Sequence, residues 1–280
     1  METPRSVRRA LSERVVNSRR VFLGISAIVF AASAAMTIAS CASMAAMGKM
    51  AMPGGWALSM MWMRIPGQTW SGAAASFLGK WVVMMVAMML PSLTPMLWRY
   101  RQAIARTHAE RGGQRTALVG GAYFFVWAMV GMMVFPLGVA LAAVLMREPA
   151  LARGVPIVVG ATVLVAGVLQ RTEWKARQLA LCREAPGRAT TLGAEPGAAW
   201  RYGLCLGLHC VRSCAGLTAV VLGLGVMDVR VMAAVAAAIT AERLAPNGER
   251  VARVIGAIAV GAGSVVLLLL ALVRLDHLKA

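Results

Sequence analysis

Long apolar runs separated by short polar segments dominate the 280-residue chain. Most of these runs reach or approach the roughly 20 residues that an α-helix needs to cross a bilayer. The pattern therefore predicts an all-α fold, a polytopic integral membrane helix bundle with about seven transmembrane helices. Because the sixth run is too short for a full crossing, six spans plus a re-entrant segment are the alternative. The runs cover residues 21–47, 75–98, 117–146, 155–169, 202–226, 231–241 and 254–273.

The polar segments divide the chain into a tail and one membrane domain. Residues 1–20 form a basic cytoplasmic tail, and residues 21–275 form a single membrane-embedded helical domain. Within that domain we predict a Met-rich outer loop at 44–63 and a cytoplasmic loop at 170–201. The first run ends near Ile38-Ala39-Ser40-Cys41, which resembles a lipoprotein cleavage box, although a first membrane span explains the run equally well.

Composition and charge support the membrane interpretation. Hydrophobic residues make up 59% of the chain and charged residues only 14%, which excludes most soluble enzyme classes because soluble domains carry roughly 25% charged residues. The net charge of +18 would suit nucleic acid, but the basic residues cluster between the apolar runs, as topology signals do. With the N-terminus inside, the inner segments hold most of the Lys and Arg. We expect a multi-pass plasma-membrane protein with a cytoplasmic N-terminus, membrane lipid as a partner and no nucleic-acid partner.

Methionine is in clear excess, with twenty residues, and many of them cluster in the outer loop. Thioethers are soft ligands that suit Cu(I), and an oxidising compartment cannot remove them by disulfide formation. The outer cluster therefore predicts copper capture, and anchoring of an amphipathic loop to the bilayer is the alternative. Its members are Met44, Met47, Met50, Met52, Met60, Met61 and Met63.

The second and fifth runs place further soft ligands at helical spacing. Met85 and Met89 share a helix face, and Met88 lies beside them. Cys210 and Cys214 are also four residues apart, so their thiols form a pair on one face. Ordinary core packing would explain both sets without a metal. Because the two sets lie within about one helical turn of the same depth, they meet if their helices are neighbours.

Local features of these two runs affect how closely their helices can approach. Pro91 and Pro95 lack the amide hydrogen that continues a helical hydrogen-bond ladder, so we expect a break in the ladder and freed backbone carbonyl groups. Gly203 and Gly207 have the spacing of small residues that allows close approach of a second helix.

Other kinds of chemistry find little support in the sequence. Three histidines are too few for a bundle that holds haem by paired His ligands, and His209, paired with Cys205, points away from the thiol pair. Ser213 lacks an orienting group that would make it a nucleophile. We expect Glu242 to be an interfacial ion-pair partner of Arg243 or Arg250. The sequence does not predict an enzyme.

Four segments resemble, in order, a bacterial family of predicted metal-binding integral membrane proteins, which includes a copper chaperone for polyphenol oxidase maturation. The most specific segment is WVVMMVAMMLPSLTPM at residues 81–96. The other three are a cytoplasmic stretch with Gln170, Thr172, Lys175, Leu179, Cys182 and Arg183, the run Gly207-Leu208-His209-Cys210 followed by Cys214, and Glu242-Arg243-Leu244-Ala245-Pro246. This chain has Ser213 where the family often has a further cysteine, and His209 where tyrosine is usual, so His209 could replace the lost ligand.

The resemblance implies a membrane-bound Cu(I)-binding protein of the bacterial inner membrane, a copper chaperone or insertion factor for a copper-enzyme client. Its predicted metal ligands are Cys210, Cys214, Met88, Met89, Met85 and His209. Two alternatives stay open from the sequence: an accessory subunit of a membrane oxidase assembly without metal, and a copper transporter.

Overall fold

A computed structural model describes residues 4–46, 48, 50–64, 67–105, 112–183 and 196–279. The described residues form eight α-helices, which confirms the all-α prediction. The helices are α1 (Pro4–Ala46), α2 (Trp70–Ala105), α3 (Gly112–Arg147), α4 (Pro149–Leu169), α5 (Glu173–Arg183), α6 (Pro196–Leu224), α7 (Val229–Leu244) and α8 (Gly248–Lys279).

A small β-hairpin interrupts the helices in the outer loop. Strand β1 (Met50–Met52) pairs antiparallel with β2 (Trp56–Leu58), and a 3₁₀ turn follows at Met60–Trp62. Gly54 and Gly55 have positive φ angles of 100° and 75°, a conformation that glycine adopts without steric cost. The hairpin is fixed to the bundle by Trp56, whose Nε1 donates a hydrogen bond to the carbonyl of Ala152 at 2.8 Å.

Six of the helices are long and apolar enough to cross a membrane, by length and composition. They are α1, from Val16 onwards, and α2, α3, α4, α6 and α8. Many of their large hydrophobic side chains are exposed, as lipid-facing residues would be, for example Met133 (69% exposed) and Ile28 (70%). The structure therefore fits a polytopic bundle.

Helix α7 is the short sixth element of the sequence prediction, and its 16 residues span about 24 Å. It begins at Asp228, whose side chain caps the helix by accepting hydrogen bonds from the amides of Arg230 and Val231. It packs against α2, α6 and α8 through one face, on which Met232, Val235, Ile239 and Glu242 are buried, while seven of its sixteen residues are exposed.

The two ends of the bundle collect different polar segments. At one end Tyr100 stacks on Tyr202 at 5.2 Å, and Lys175 pairs with Glu242. At the other end Cys41 approaches Met227, and the hairpin packs near α4. Segments predicted to share a side of the membrane therefore lie at the same end.

Helices α3 and α6 cross closely. A Cβ atom added at Gly203 would lie 2.5 Å from the carbonyl oxygen of Val119, and one at Gly207 would lie 2.9 Å from Cγ2 of Val126. The predicted close approach at these glycines is therefore present, with α3 as the partner. In the described part of the chain, α2 and α6 are not among the closely packed pairs. Helices α3 and α7 each contact both of them.

Two other local expectations need adjustment. Helix α2 continues through Pro91 and Pro95 without a break in its helical conformation. Part of the predicted loop at 170–201 is helical, since it contains α5 and the start of α6. The second of these brings Lys175 of α5 into the buried core.

Candidate metal centre

The predicted thiol pair is buried in the centre of the main core. Cys210 and Cys214 are 0% and 1% exposed, and their Sγ atoms lie 3.9 Å apart on one face of α6. Both are free cysteines. A soft metal ion bound about 2.3 Å from each sulfur would make an S–metal–S angle of about 116°, close to the angle in a three-coordinate site. The pair is therefore spaced to supply two of three ligands.

Tyr123 of α3 lies directly against this pair. Its hydroxyl group donates a hydrogen bond to Sγ of Cys210 at 2.8 Å, and the tyrosine side chain is fully buried. The close crossing at Gly203 and Gly207 brings α3 near enough for this contact. A hydrogen-bond donor at a sulfur favours the charged thiolate form, which is the form that binds metals.

The predicted thioethers share the buried core with the thiols. Met85, Met88 and Met89 are 1%, 4% and 0% exposed and belong to the same hydrophobic cluster as Cys210 and Cys214. Helix α2, which carries the thioethers, is not closely packed against α6 in the described part of the chain; α3 and α7 contact both helices.

Other ligand types are less available at the thiol pair. Among the described residues, no group of three or more His, Cys, Asp or Glu side chains is placed to hold a metal ion. His209 is partly buried with no hydrogen-bond partner at Nδ1, and Cys205 is exposed, so the structure does not gather either of them with the pair.

A buried ion pair lies beside the thiol helix. Nζ of Lys175 is 2.8 Å from a carboxylate oxygen of Glu242, and both side chains are 2% exposed. Gln170 donates a hydrogen bond to the same carboxylate, and Lys175 also donates to the carbonyl of Ser213 at 2.6 Å. The expectation that Glu242 pairs with Arg243 or Arg250 at the interface is wrong, because α5 brings Lys175 into the interior.

Arg243 points in a different direction from Glu242. Its guanidinium group donates to Oγ of Ser92 at 3.3 Å and to Sγ of Cys182 at 3.6 Å. Ser92 in turn donates to the carbonyl of Met89 at 2.9 Å. Arg243 therefore links the methionine helix α2 to α5 at the level of the core.

These contacts bring together all four segments of the sequence resemblance. The first supplies Ser92, the second supplies Lys175 and Cys182, and the fourth supplies Arg243 beside Glu242. The third segment joins through the carbonyl of Ser213, next to Cys214. Sequence reasoning did not find the roles of Tyr123 and Arg243, and the only signal for Arg243 was its place in the fourth segment.

Cys182 is a buried thiol outside the membrane-spanning helices. Burial raises its pKa to about 11, although the nearby positive charge of Arg243 opposes this shift. The thiol is therefore protonated at neutral pH, which makes it a poor nucleophile.

The outer methionines do not form one group. Met44 and Met61 are buried in the main core, whereas Met52 lies with Leu58 in a smaller core under the hairpin. Met50 is exposed and Met63 is partly buried. Met47 and the side chain of Met60 lie outside the described residues. Capture of copper by this loop stays a prediction.

One further sulfur contact lies at the end of the bundle that carries the hairpin. Cys41, which the sequence suggested only as part of a cleavage box, has its Sγ 3.8 Å from Sδ of Met227. This contact joins the end of α1 to the turn before α7, a pairing that no spacing along the sequence could indicate.

Comparison with known proteins adds one decisive match. The model of the PpoB2 copper chaperone family matches residues 78–266, which is more than half of the chain. The chain belongs to this family. Searches of curated proteins and of solved structures find no match.

The match to the PpoB2 family begins in α2 and ends in α8, so it includes every residue of the buried site described above. It leaves out residues 1–77, where all seven outer methionines lie. The match confirms the resemblance drawn from the four sequence segments. Copper is therefore the metal to consider at the buried thiols.

Proposed function

We propose that this PpoB2 family protein binds Cu(I) between Cys210 and Cys214 and delivers the ion to a copper-enzyme client. One observation carries the proposal: a buried pair of free thiols 3.9 Å apart, in a chain of a copper chaperone family. Soft thiolates select Cu(I), and Zn(II) prefers four nitrogen or sulfur ligands in a closed tetrahedron.

Methionine thioethers complete the proposed site. Met88 and Met89, with Met85 on the same helix, are buried in the cluster that holds the thiols. A neutral thioether binds Cu(I) more weakly than a thiolate, so an ion held by two thiolates and one thioether can leave when a client offers better ligands. His209 is the remaining predicted ligand; because it is not grouped with the thiol pair, we give it no role in this site, although its Nδ1 has no hydrogen-bond partner.

We place the protein in the bacterial inner membrane with its N-terminus in the cytoplasm. The proposal rests on the excess of Lys and Arg in the segments 1–20, 99–116 and 170–201. The thiol pair would then lie nearer the reducing side, where cysteines stay free.

Labelling of single cysteines in a cysteine-free background tests this orientation. Ala185→Cys should be protected from an impermeant thiol reagent in whole cells, and Ser71→Cys should be labelled. Labelling of Ala185→Cys from outside would reverse the orientation.

Two assays on purified, reduced protein separate the proposed function from its alternatives. We expect Cu(I) to bind with defined stoichiometry and to pass to an apo-form copper enzyme in solution. Absence of copper binding would favour the accessory-subunit alternative. Copper flux into sealed vesicles that contain the protein, without transfer to the apo enzyme, would favour the transporter.

A further inference from the structure

Arg243 is a cation in the interior of the bundle without a matching carboxylate. Its partners are the hydroxyl group of Ser92 and the thiol of Cys182, both neutral, and its Nε is buried with no hydrogen-bond partner. Among the described residues, no Asp or Glu lies within ion-pair distance of it. The neighbouring carboxylate, Glu242, is already neutralised by Lys175 at 2.8 Å.

A buried cation that lacks a counter-ion is costly, so a chain that keeps one has a reason to do so. The guanidinium group of Arg243 lies 3.6 Å from Sγ of Cys182, and its helix α7 packs against α6, which carries Cys210 and Cys214. It is also tied through Ser92 to the carbonyl of Met89, one of the proposed thioether residues. The interior is therefore arranged to receive a negative charge at the thiol pair.

We propose that Arg243 is the counter-ion of the copper–thiolate complex and makes the site select a monovalent ion over a divalent one. This inference rests on the proposed function, because it assumes that Cys210 and Cys214 hold Cu(I). It adds a specificity-determining residue on a helix that supplies no ligand.

The charge balance of binding gives the reason. When Cu(I) binds, two S–H bonds break, two S–Cu bonds form, and both protons leave to the solvent without any change of oxidation state. The site then gains a net charge of −1, which Arg243 neutralises. A divalent ion such as Zn(II) makes a neutral complex with the same two thiolates, and the charge of Arg243 stays unbalanced.

Replacement of Arg243 tests the proposal, with Cu(I) and Zn(II) titrated separately against competing chelators on reduced, purified protein. We expect Arg243→Gln to lower Cu(I) affinity by about tenfold or more, since a charged partner in the interior is lost. Zn(II) affinity should stay within about twofold or rise. Arg243→Lys, which keeps the charge, should retain most of the Cu(I) affinity. The control is Arg250→Gln, which removes the same charge from an exposed position nearby.

A second pair of variants leaves Arg243 in place. Cys182→Asp would give the guanidinium group a permanent carboxylate partner at a position that it already contacts. It should weaken Cu(I) binding as Arg243→Gln does, whereas the matched control Cys182→Ser should leave it nearly unchanged.

The outcomes distinguish a failure of the proposed function from a failure of the counter-ion role. If the wild-type protein does not bind Cu(I), the proposed function fails. If the wild-type protein binds Cu(I) and Arg243→Gln or Cys182→Asp binds equally well, the counter-ion role is overturned. Equal loss of Cu(I) and Zn(II) affinity in Arg243→Gln would also overturn it.

Discussion

The hydroxyl group of Tyr123 lies 2.8 Å from Sγ of Cys210, and this contact joins α3 to the thiol helix α6. It depends on the glycine-mediated crossing of the two helices, where Gly203 and Gly207 leave no room for a side chain. The tyrosine therefore lies at the sulfur because of the packing of the bundle, and its hydrogen bond favours the thiolate form that the proposed copper site requires.

Removal of this hydroxyl group should affect copper binding more than stability. Hydrogen bonds to charged groups contribute about 1.5–3 kcal/mol and those to neutral groups about 1 kcal/mol. We therefore expect Tyr123→Phe to lower Cu(I) affinity by about tenfold or more, with a smaller loss in the free energy of unfolding. Chelator competition and thermal unfolding measure the two effects. Tyr202→Phe, away from the thiol pair, is the control, and equal affinity in both variants would remove Tyr123 from the site.

Gly203→Ala should force α3 and α6 apart. The added methyl group would lie 2.5 Å from the carbonyl oxygen of Val119 and 2.6 Å from Cβ of Ala122, and backbone atoms cannot move aside cheaply. We expect a loss of about 1–3 kcal/mol in the free energy of unfolding. Gly121→Ala is the matched control on α3, because nothing lies within 4 Å of its added Cβ. A stable Gly203→Ala protein with normal copper binding would contradict the described crossing.

Lys175→Met should destabilise the protein strongly because it leaves the buried carboxylate of Glu242 without its charged partner. The expected cost is about 3–5 kcal/mol, and the double variant Lys175→Met/Glu242→Gln should recover much of it. Arg177→Ala, in the exposed pair with Glu173, should cost less than about 1 kcal/mol. Thermal unfolding of the four proteins compares them. A mild single Lys175→Met variant would place the pair in a wetter environment than the structure shows.

Alkylation of Cys182 should rise steeply with pH. Because burial raises the pKa of this thiol to about 11, only about one molecule in a thousand carries the thiolate at pH 8. In a variant that keeps only this cysteine, the rate with iodoacetamide should increase about tenfold per pH unit up to about pH 10. A plateau near pH 8.5, as for an ordinary thiol, would show that the buried environment does not control this residue.

The sequence predicted most of the helices because each crossing needs a continuous apolar run, and such runs are visible directly. It missed the length of α1 and α6, since helices continue into polar segments beyond a bilayer. It predicted the Cys210–Cys214 pair because a spacing of four residues is a local property of a helix. The partners Tyr123 and Arg243 come from other helices, and their contacts depend on packing that no periodicity encodes.

The position of Glu242 illustrates the same limit. Its place near the end of an apolar run suggested an interface, where a neighbouring arginine would be the natural partner. The structure instead inserts Lys175 of α5 beside it, 2% exposed. A polar helix such as α5 carries no apolar signal, so its position against α6 could not be predicted from hydropathy.

Copper stoichiometry of the reduced, purified protein, with and without the thiol pair, tests the central claim most directly. The wild-type protein should bind Cu(I) stoichiometrically against a competing chelator. Cys210→Ser/Cys214→Ser should lose this binding while it still inserts and purifies. Met88→Leu/Met89→Leu should weaken binding less, and Cys205→Ser, on the exposed face, should have little effect. Full Cu(I) binding in the double serine variant would contradict the assignment of the metal centre to Cys210 and Cys214.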